Sequence, residues 1–316
     1  MSSTASNAST SAPAPSVLTG WSRLPAEYAI PGHAPSLAAA QEYCRHLART
    51  HYENFSVATW FLPQRLRQHF CNVYGYCRIS DDLGDEVGDP NASLQLLDQW
   101  EGELDACYSG SPRHSVFVAL AETVRKFDIP KQPFSDLLRA FRQDQSVTRY
   151  PTFEDLLGYC RYSANPVGHL VLYLCGYRDS ERQASSNFTC TALQLANFWQ
   201  DVSRDYAKGR IYLPLEDLQR YGVSEDDIAS ARNTPAFCEM MRFQVKRAHD
   251  WFDQGMPLIG KVDPNLAVDI ELFSRGGQEI LSAIGRQEYA VLGRRPSISK
   301  SRKLALVARA ALRKLL

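Results

Sequence analysis

The chain has no net charge: its 35 lysines and arginines are matched by 35 aspartates and glutamates. A protein that grips nucleic acid through its phosphates needs a basic surplus, so that class is set aside. No uninterrupted run reaches the ~18 apolar residues of a membrane span. Eight cysteines are present (Cys44, Cys71, Cys77, Cys107, Cys160, Cys175, Cys190 and Cys238), but no two form a Cys-x-x-Cys pair and most stand among apolar residues. That pattern reads as buried thiols in a reducing compartment, not as a disulfide framework or a zinc site. There is no convincing alternating β-run, no repeat, and no Gly-x-Gly-x-x-Gly following a strand, so nothing points to a nicotinamide cofactor. The first residues, Met1 to Pro15, are rich in Ser, Ala, Thr and Pro and lack the basic and apolar regions of a signal peptide. Residues 1–35 are expected to be a disordered tail, and the protein is expected to be cytoplasmic, with at most peripheral contact on the inner face of the membrane.

What remains is helical. Hydrophobic residues make up 44% of the 316 positions, enough to build one sizeable core, and residues 36–316 are read as a single all-α domain. Apolar residues recur at spacings of three and four in Gln64–Ser80 (Leu66, Phe70, Val73, Cys77) and again after Asp89-Pro90 (Leu94, Leu97, Trp100, Leu104). Similar patterns continue to the last segment, Lys300–Leu316, with Gly209–Pro214 as an extended connector. About ten or more helices are too many for a simple four-helix bundle. They suggest a larger bundle with a site facing its interior.

Two acidic elements interrupt this pattern. Asp81-Asp-Leu-Gly-Asp-Glu86 places Asp81, Asp82, Asp85 and Glu86 within six residues. On a helix they fall at i, i+3 and i, i+4, where like charges repel, so all four are expected to crowd one surface. Either this is a solvated helix end, or the oxygens bind a hard divalent cation. Farther along, Asn197, Asp201 and Asp205 are spaced i, i+4, i+8 on a helix otherwise packed through Leu193, Leu195, Phe198 and Val202. Arg204 and Arg210 could neutralise that row as plain salt bridges. Two facing carboxylate rows, however, fit Mg²⁺ ions that in turn hold a diphosphate, because Mg²⁺ takes a few carboxylates together with waters and phosphate oxygens. Loss of such a diphosphate leaves a carbocation, which needs a water-poor pocket with aromatic faces. Arg65, Arg78, Lys208 and Arg210 are candidate diphosphate contacts.

These residues resemble the squalene/phytoene synthase family. Asp81–Glu86 is similar to its first aspartate-rich motif and Asn197–Asp205 to its second. Tyr159-Cys-Arg-Tyr162-Ser-Ala-Asn-Pro-Val-Gly168 resembles its Tyr-x-Ala-x-x-Val-Gly segment. The resemblance runs from about Glu53 to Tyr289. It implies an isoprenoid-synthase helical bundle with a central active-site cavity, Mg²⁺ as cofactor, and head-to-head chemistry on prenyl diphosphates. The implied metal ligands are Asp81, Asp82, Asp85, Glu86, Asn197, Asp201 and Asp205. The substrate-binding set is Asn54, Phe55, Arg65, Tyr74, Arg78, Val167, Gln200, Lys208, Arg210 and Tyr212, and the catalytic set Tyr162, Asn165 and Arg78.

Within the family, Glu53-Asn-Phe55, Asn197-Phe-Trp-Gln-Asp-Val202, Gly209-Arg-Ile-Tyr-Leu-Pro214 and Arg275-Gly-Gly-Gln-Glu-Ile-Leu281 most resemble the bacterial hydroxysqualene synthases. That resemblance implies presqualene diphosphate as substrate, quenching by water, and functional partnership with a presqualene diphosphate synthase and a squalene-forming flavoenzyme. The other reading within the family is condensation of two prenyl diphosphates such as farnesyl diphosphate. A non-catalytic assembly factor on the same fold is the reading from another class, and two intact acidic rows speak against it. The chain departs from the family pattern at Gln200, where an arginine is usual, and at Asn165-Pro166, which replaces a glycine-containing turn. Asn165, beside Tyr162, is a candidate holder of the quenching water. For residues 300–316, basic and amphipathic, two readings stand: a terminal helix packed on the bundle, or an interfacial helix on anionic lipid.

Overall fold

The computed structural model describes residues 24–50 and 63–315, and among them every regular element is helical. Thirteen α-helices follow in order: α1 (Leu37–Thr50), α2 (Gln64–Asp85), α3 (Pro90–Ser109), α4 (Ser115–Phe127), α5 (Gln132–Gln143), α6 (Phe153–Ser163), α7 (Asn165–Leu174), α8 (Ser180–Ala207), α9 (Leu215–Tyr221), α10 (Glu225–Ala229), α11 (Pro235–Gly255), α12 (Pro264–Arg286) and α13 (Lys300–Leu315). All eight cysteines are free thiols.

Local chemistry sets the boundaries. Gly88, at φ +72°, turns the chain after α2. The Asp89 carboxylate then caps the Ala92 amide, and Pro90 opens α3 where its missing N–H costs nothing. Thr152 and Asp155 form a reciprocal capping box at the head of α6. Asp179 caps α8, which begins at Ser180, well ahead of its first patterned residue Leu193. In the same way α2 runs past Ser80 to Asp85, so three of its four clustered acids are inside a helix and Glu86 is its C-cap. Gly209–Pro214 is extended, as expected. It is tied to residues 148–150 by an isolated bridge and by the Leu215 amide donating to the Tyr150 carbonyl at 2.9 Å.

Two hydrophobic clusters form the interior. One gathers α1, α2, α3 and α4 with the first half of α5 and parts of α7, around Tyr76, Trp100, Phe117 and Phe134. The other gathers α6, α8, α9 and α11 with the end of α12, around Tyr150, Trp199, Phe237 and Phe252. Helices α2 and α8 belong to different clusters and do not pack extensively on each other; α5, α6 and α7 stand between them. The two acidic rows therefore meet across a seam between cores.

The expected tail boundary at residue 35 is too late. Ala26–Tyr28 forms a 3-10 turn, and Tyr28 is 1% exposed in the first cluster. A large aromatic side chain with an apolar slot and a hydrogen-bond partner orders its segment whatever the local composition. At the other end, α13 packs on α12 through Ala310 and Val268, which matches the first of its two readings, yet leaves Leu304 and Leu312 exposed at 70% and 62%. No helix among the described residues is long and apolar enough to cross a membrane.

Helix α11 crosses α8 at backbone range. A Cβ built on Gly255 would lie 2.8 Å from the Thr189 amide nitrogen and 3.2 Å from its Cα. Backbone cannot move aside as a flexible side chain can. Gly255→Ala is expected to destabilise the fold by about 2–3 kcal/mol, read as a lower urea midpoint at unchanged slope. A midpoint equal to wild type would show that the crossing relaxes freely.

Candidate active site

The last turns of α2 carry the first acidic row. Asp81 and Asp85 share one face, below Arg78 and Tyr74 on the same side of the helix. Asp82 does not join them. It is 4% exposed and is held by the Arg78 guanidinium, whose Nε donates at 2.9 Å, and by the Tyr28 hydroxyl at 2.8 Å. A carboxylate buried between two donors is a structural anion, which corrects the expectation that all four acids crowd one surface. Arg78 is likewise committed, pairing with Asp82 and lying 3.7 Å from Asp81.

The second row lies on α8, with Asn197 exposed, Asp205 partly buried and the Asp201 side chain 14% exposed. The segment after α8 reaches back to the first row. Lys208 Nζ stands 3.2 Å from Asp85 and 3.6 Å from Glu86, and Arg210 Nη1 stands 2.7 Å from Asp85. These pairs cross the seam and bring the two rows into one electrostatic field. Arg210, expected as a neutraliser of the second row, serves the first; Asp201 is paired by Arg295 through two bonds of 2.5 and 2.7 Å, with Arg204 more distant at 3.6 Å.

The site still holds excess negative charge. Burial raises the Asp81 carboxyl to about 6, and the neighbouring Asp85 adds to the rise. Its side chain keeps half its surface accessible, which describes a recessed carboxylate, not a sealed one. Asp205 is raised to about 7, first by burial and then by Asp201. No three His, Cys, Asp or Glu side chains among the described residues converge on one point, so there is no closed protein cage for a metal. The donor set fits Mg²⁺ in its open mode: hard oxygens, one or two carboxylates per ion, and the remaining positions left to water and phosphate.

Beneath the acids lies an aromatic layer. Phe198 and Tyr212 stack at 3.9 Å and 12°, with Tyr159 5.7 Å and Tyr150 5.7 Å from Tyr212. Tyr212, expected among the substrate-binding residues, is thus a buried member of this aromatic layer. Asp144 sits at the edge of this layer, 7% exposed. One of its oxygens accepts from the Tyr159 hydroxyl at 2.8 Å, and the other has no hydrogen-bond partner. Burial raises its carboxyl to about 7, with Arg210 pulling the other way.

Other expected residues are more scattered. The Tyr162 ring lies under the Arg139 guanidinium at 4.0 Å. Asn165, 8% exposed, accepts from the Thr191 hydroxyl at 3.0 Å. Val167 is 41% exposed on α7. Gln200 is buried and bonded to Arg295 and Pro296. Arg65 stands in the first turn of α2, about 24 Å along the helix axis from Asp81 at 1.5 Å per residue. It is therefore not brought to the acidic rows. Asn54 and Phe55 lie outside the described residues. Tyr28, Asp144 and Arg295 were not found by sequence reasoning. Only Arg295 left a trace, in the basic pair before a proline, Arg294-Arg295-Pro296.

Asp144 yields a pH-dependent prediction. Its folded carboxyl titrates near 7 and its unfolded one near 4, so the stability tied to its proton is complete below about pH 4 and is lost as pH rises to 7. Asp144→Asn, which keeps an acceptor for Tyr159, is expected to melt with wild type at pH 4 and above it at pH 8. Equal melting at both pH values would place Asp144 in contact with water.

The described geometry has counterparts among known proteins. The Squalene/phytoene synthase family model matches residues 48–302. The chain is 31% identical over 290 residues to 15-cis-phytoene synthase of Synechococcus elongatus, covering 88% of this chain and 94% of that one, and 30% identical over 285 residues to phytoene synthase of Arthrospira platensis, covering 86% and 92%. Among solved structures it is similar to squalene synthase HpnC from Alicyclobacillus acidocaldarius at 44% identity and TM-score 0.77, covering 85% of this chain and 98% of that one. It is also similar to a dehydrosqualene synthase in complex with ligand at 26% identity and TM-score 0.80, covering 87% and 96%. With a family match over most of its length and two acidic rows facing across a helical seam, the chain belongs to the squalene/phytoene synthase family of prenyl-diphosphate-processing enzymes.

Proposed function

We propose that this enzyme is a Mg²⁺-dependent hydroxysqualene synthase. It ionises presqualene diphosphate, lets the cyclopropylcarbinyl cation rearrange, and closes the sequence with water. The observation that carries this reading is the likeness to the Alicyclobacillus squalene synthase, 44% identical across 98% of that chain, against 30–31% for the phytoene synthases. The names of those phytoene synthases favour the second reading, condensation of two prenyl diphosphates.

The residues have distinct tasks in the proposed reaction. Asp81, Asp85, Asp201 and Asp205, with Asn197, are the groups that would hold the metal. When bound, Mg²⁺ supplies Lewis-acid stabilisation of the departing diphosphate oxygens. Lys208 and Arg210 stand at Asp85, and in this reading they would receive diphosphate charge as the carbon–oxygen bond breaks and the electron pair leaves with oxygen. The buried Phe198–Tyr212–Tyr159 layer backs the site with apolar surface and would help keep water away from the hydrocarbon. Asn165 has its carbonyl oxygen engaged by Thr191, which leaves its amide N–H group as the donor that would hold the quenching water; that water's oxygen forms the new C–O bond and its proton is lost to solvent or to diphosphate. The exposed Leu304 and Leu312, beside Lys300, Lys303 and Arg309, support a contact of α13 with anionic lipid.

Incubation with Mg²⁺ and presqualene diphosphate is expected to yield hydroxysqualene by mass spectrometry, while farnesyl diphosphate alone yields nothing. Robust turnover of farnesyl diphosphate would instead establish the condensing activity. Asp81→Asn and Asp205→Asn are each expected to lower kcat by about 100-fold or more with melting temperature unchanged or raised, since each removes a carboxylate crowded by its neighbours. Near-normal turnover of either variant at saturating Mg²⁺ would dismantle the two-row site.

A further inference from the structure

The loop between α12 and α13 runs back along α8 and ends its approach at Gln200 and Asp201. Its course is fixed at several points. The Leu292 amide donates to the Asn233 side chain at 3.0 Å, and the Asn233 amide returns a bond to the Leu292 carbonyl at 2.9 Å. Gly293, at φ +83°, makes the turn that follows. Val291 and Leu292 are buried in the second core cluster. Arg295 and Pro296 are therefore delivered to α8 by a stitched segment.

At α8 both ends of one side-chain amide are used. Gln200, 6% exposed, donates from Nε2 to the Pro296 carbonyl at 2.7 Å and accepts at Oε1 from Arg295 Nη2 at 2.9 Å. The same guanidinium holds both oxygens of Asp201, Nε to Oδ1 at 2.5 Å and Nη2 to Oδ2 at 2.7 Å. A buried amide is tolerated only when its polar atoms are satisfied; here two consecutive residues of the loop satisfy them. An arginine at position 200 offers no acceptor and would set two guanidinium groups against each other. The fork on Asp201 has a consequence of its own. A carboxylate already paired with arginine in a bidentate grip attracts a further cation less strongly, and the arginine leaves it most readily when another anion takes the place of the carboxylate.

We propose that Gln200 is a positioning residue that fixes Arg295 over Asp201, and that Arg295 makes the second acidic row bind a metal ion well only when a diphosphate arrives with it. This deepens the Mg²⁺–diphosphate reading and rests on it. The arriving anion gives Arg295 a new partner, and Asp201 is released to the metal in the same event. Metal and diphosphate binding are thereby coupled through one guanidinium.

Calorimetric titration of the full chain with MgCl₂ alone, and with inorganic diphosphate in saturating Mg²⁺, tests the coupling without turnover. Arg295→Gln is expected to bind Mg²⁺ alone at least threefold more tightly and inorganic diphosphate at least tenfold more weakly. Gln200→Met, which keeps the volume but not the two hydrogen bonds, is expected to shift both affinities in those same opposite directions by smaller factors. A purely structural role would weaken both or neither. If wild type binds inorganic diphosphate with Mg²⁺ but Arg295→Gln holds Mg²⁺ alone no more tightly, the coupling is overturned and the underlying site stands. If Gln200→Met leaves both affinities within a factor of about 1.5, the positioning role is overturned. If wild type shows no Mg²⁺-dependent binding of inorganic diphosphate, both the coupling and the reading beneath it fall. Should Gln200→Met not fold, Gln200→Glu decides in its place: it keeps the acceptor for Arg295 and loses the donor to Pro296, so its diphosphate affinity is expected between those of wild type and Arg295→Gln, and a value equal to wild type overturns the role of the Pro296 bond.

Discussion

Asp85 is held from across the seam by Arg210 at 2.7 Å and Lys208 at 3.2 Å, and much of the molecule is arranged so that this can happen. The two acidic rows sit on helices that belong to different hydrophobic clusters. Left alone, the two rows would repel across the seam. The cations after α8 are brought there by the bridge between residues 148–150 and the connector Gly209–Pro214. That same connector places Tyr212 against Phe198. One short extended segment and the residue before it thus deliver both the charge that spans the seam and the aromatic surface beneath it.

The balance of charge is deliberately incomplete. Asp82 is neutralised fully by Arg78 and Tyr28 and serves the fold. Asp81 and Asp205 are not, and burial with neighbouring acids raises their carboxyls. A folded protein that retains such carboxylates gives up stability for them, and a cation bound beside them would restore it. In enzymes that process prenyl diphosphates the incoming anion carries its own charge, so resident cations and resident acids must both be present, close together, and not entirely spent on each other.

Much of this was legible in the sequence because helices report themselves locally. Spacings of three and four gave the helices, and the same spacings put Asp81 with Asp85, and Asn197 with Asp201 and Asp205, on shared faces. What was misread has a common cause. Asp82 lies one residue from Asp81, but a 100° step turns it toward Tyr28, whose segment looked like tail. Arg65 shares a helix with the acids, yet helical rise carries it to the far end. Arg295 reaches Asp201 from 94 residues away, and Asp144 meets Tyr159 only because α5 and α6 pack. Sequence spacing encodes neighbours within one element; it carries no record of which loop folds back onto which helix.

The close crossing at Gly255 has a meaning beyond packing. Thr189, where α11 touches the backbone of α8, is 16 residues before Asp205, about 24 Å along the helix axis. A helix is stiff in torsion, so a wedge at that crossing turns the far end as well as the near one. The azimuth of the carboxylates on α8 is therefore sensitive to a missing methyl group far from them along the helix. A small rotation there would move Asp201 against the Arg295 fork and Asp205 against the seam, with every carboxylate still present.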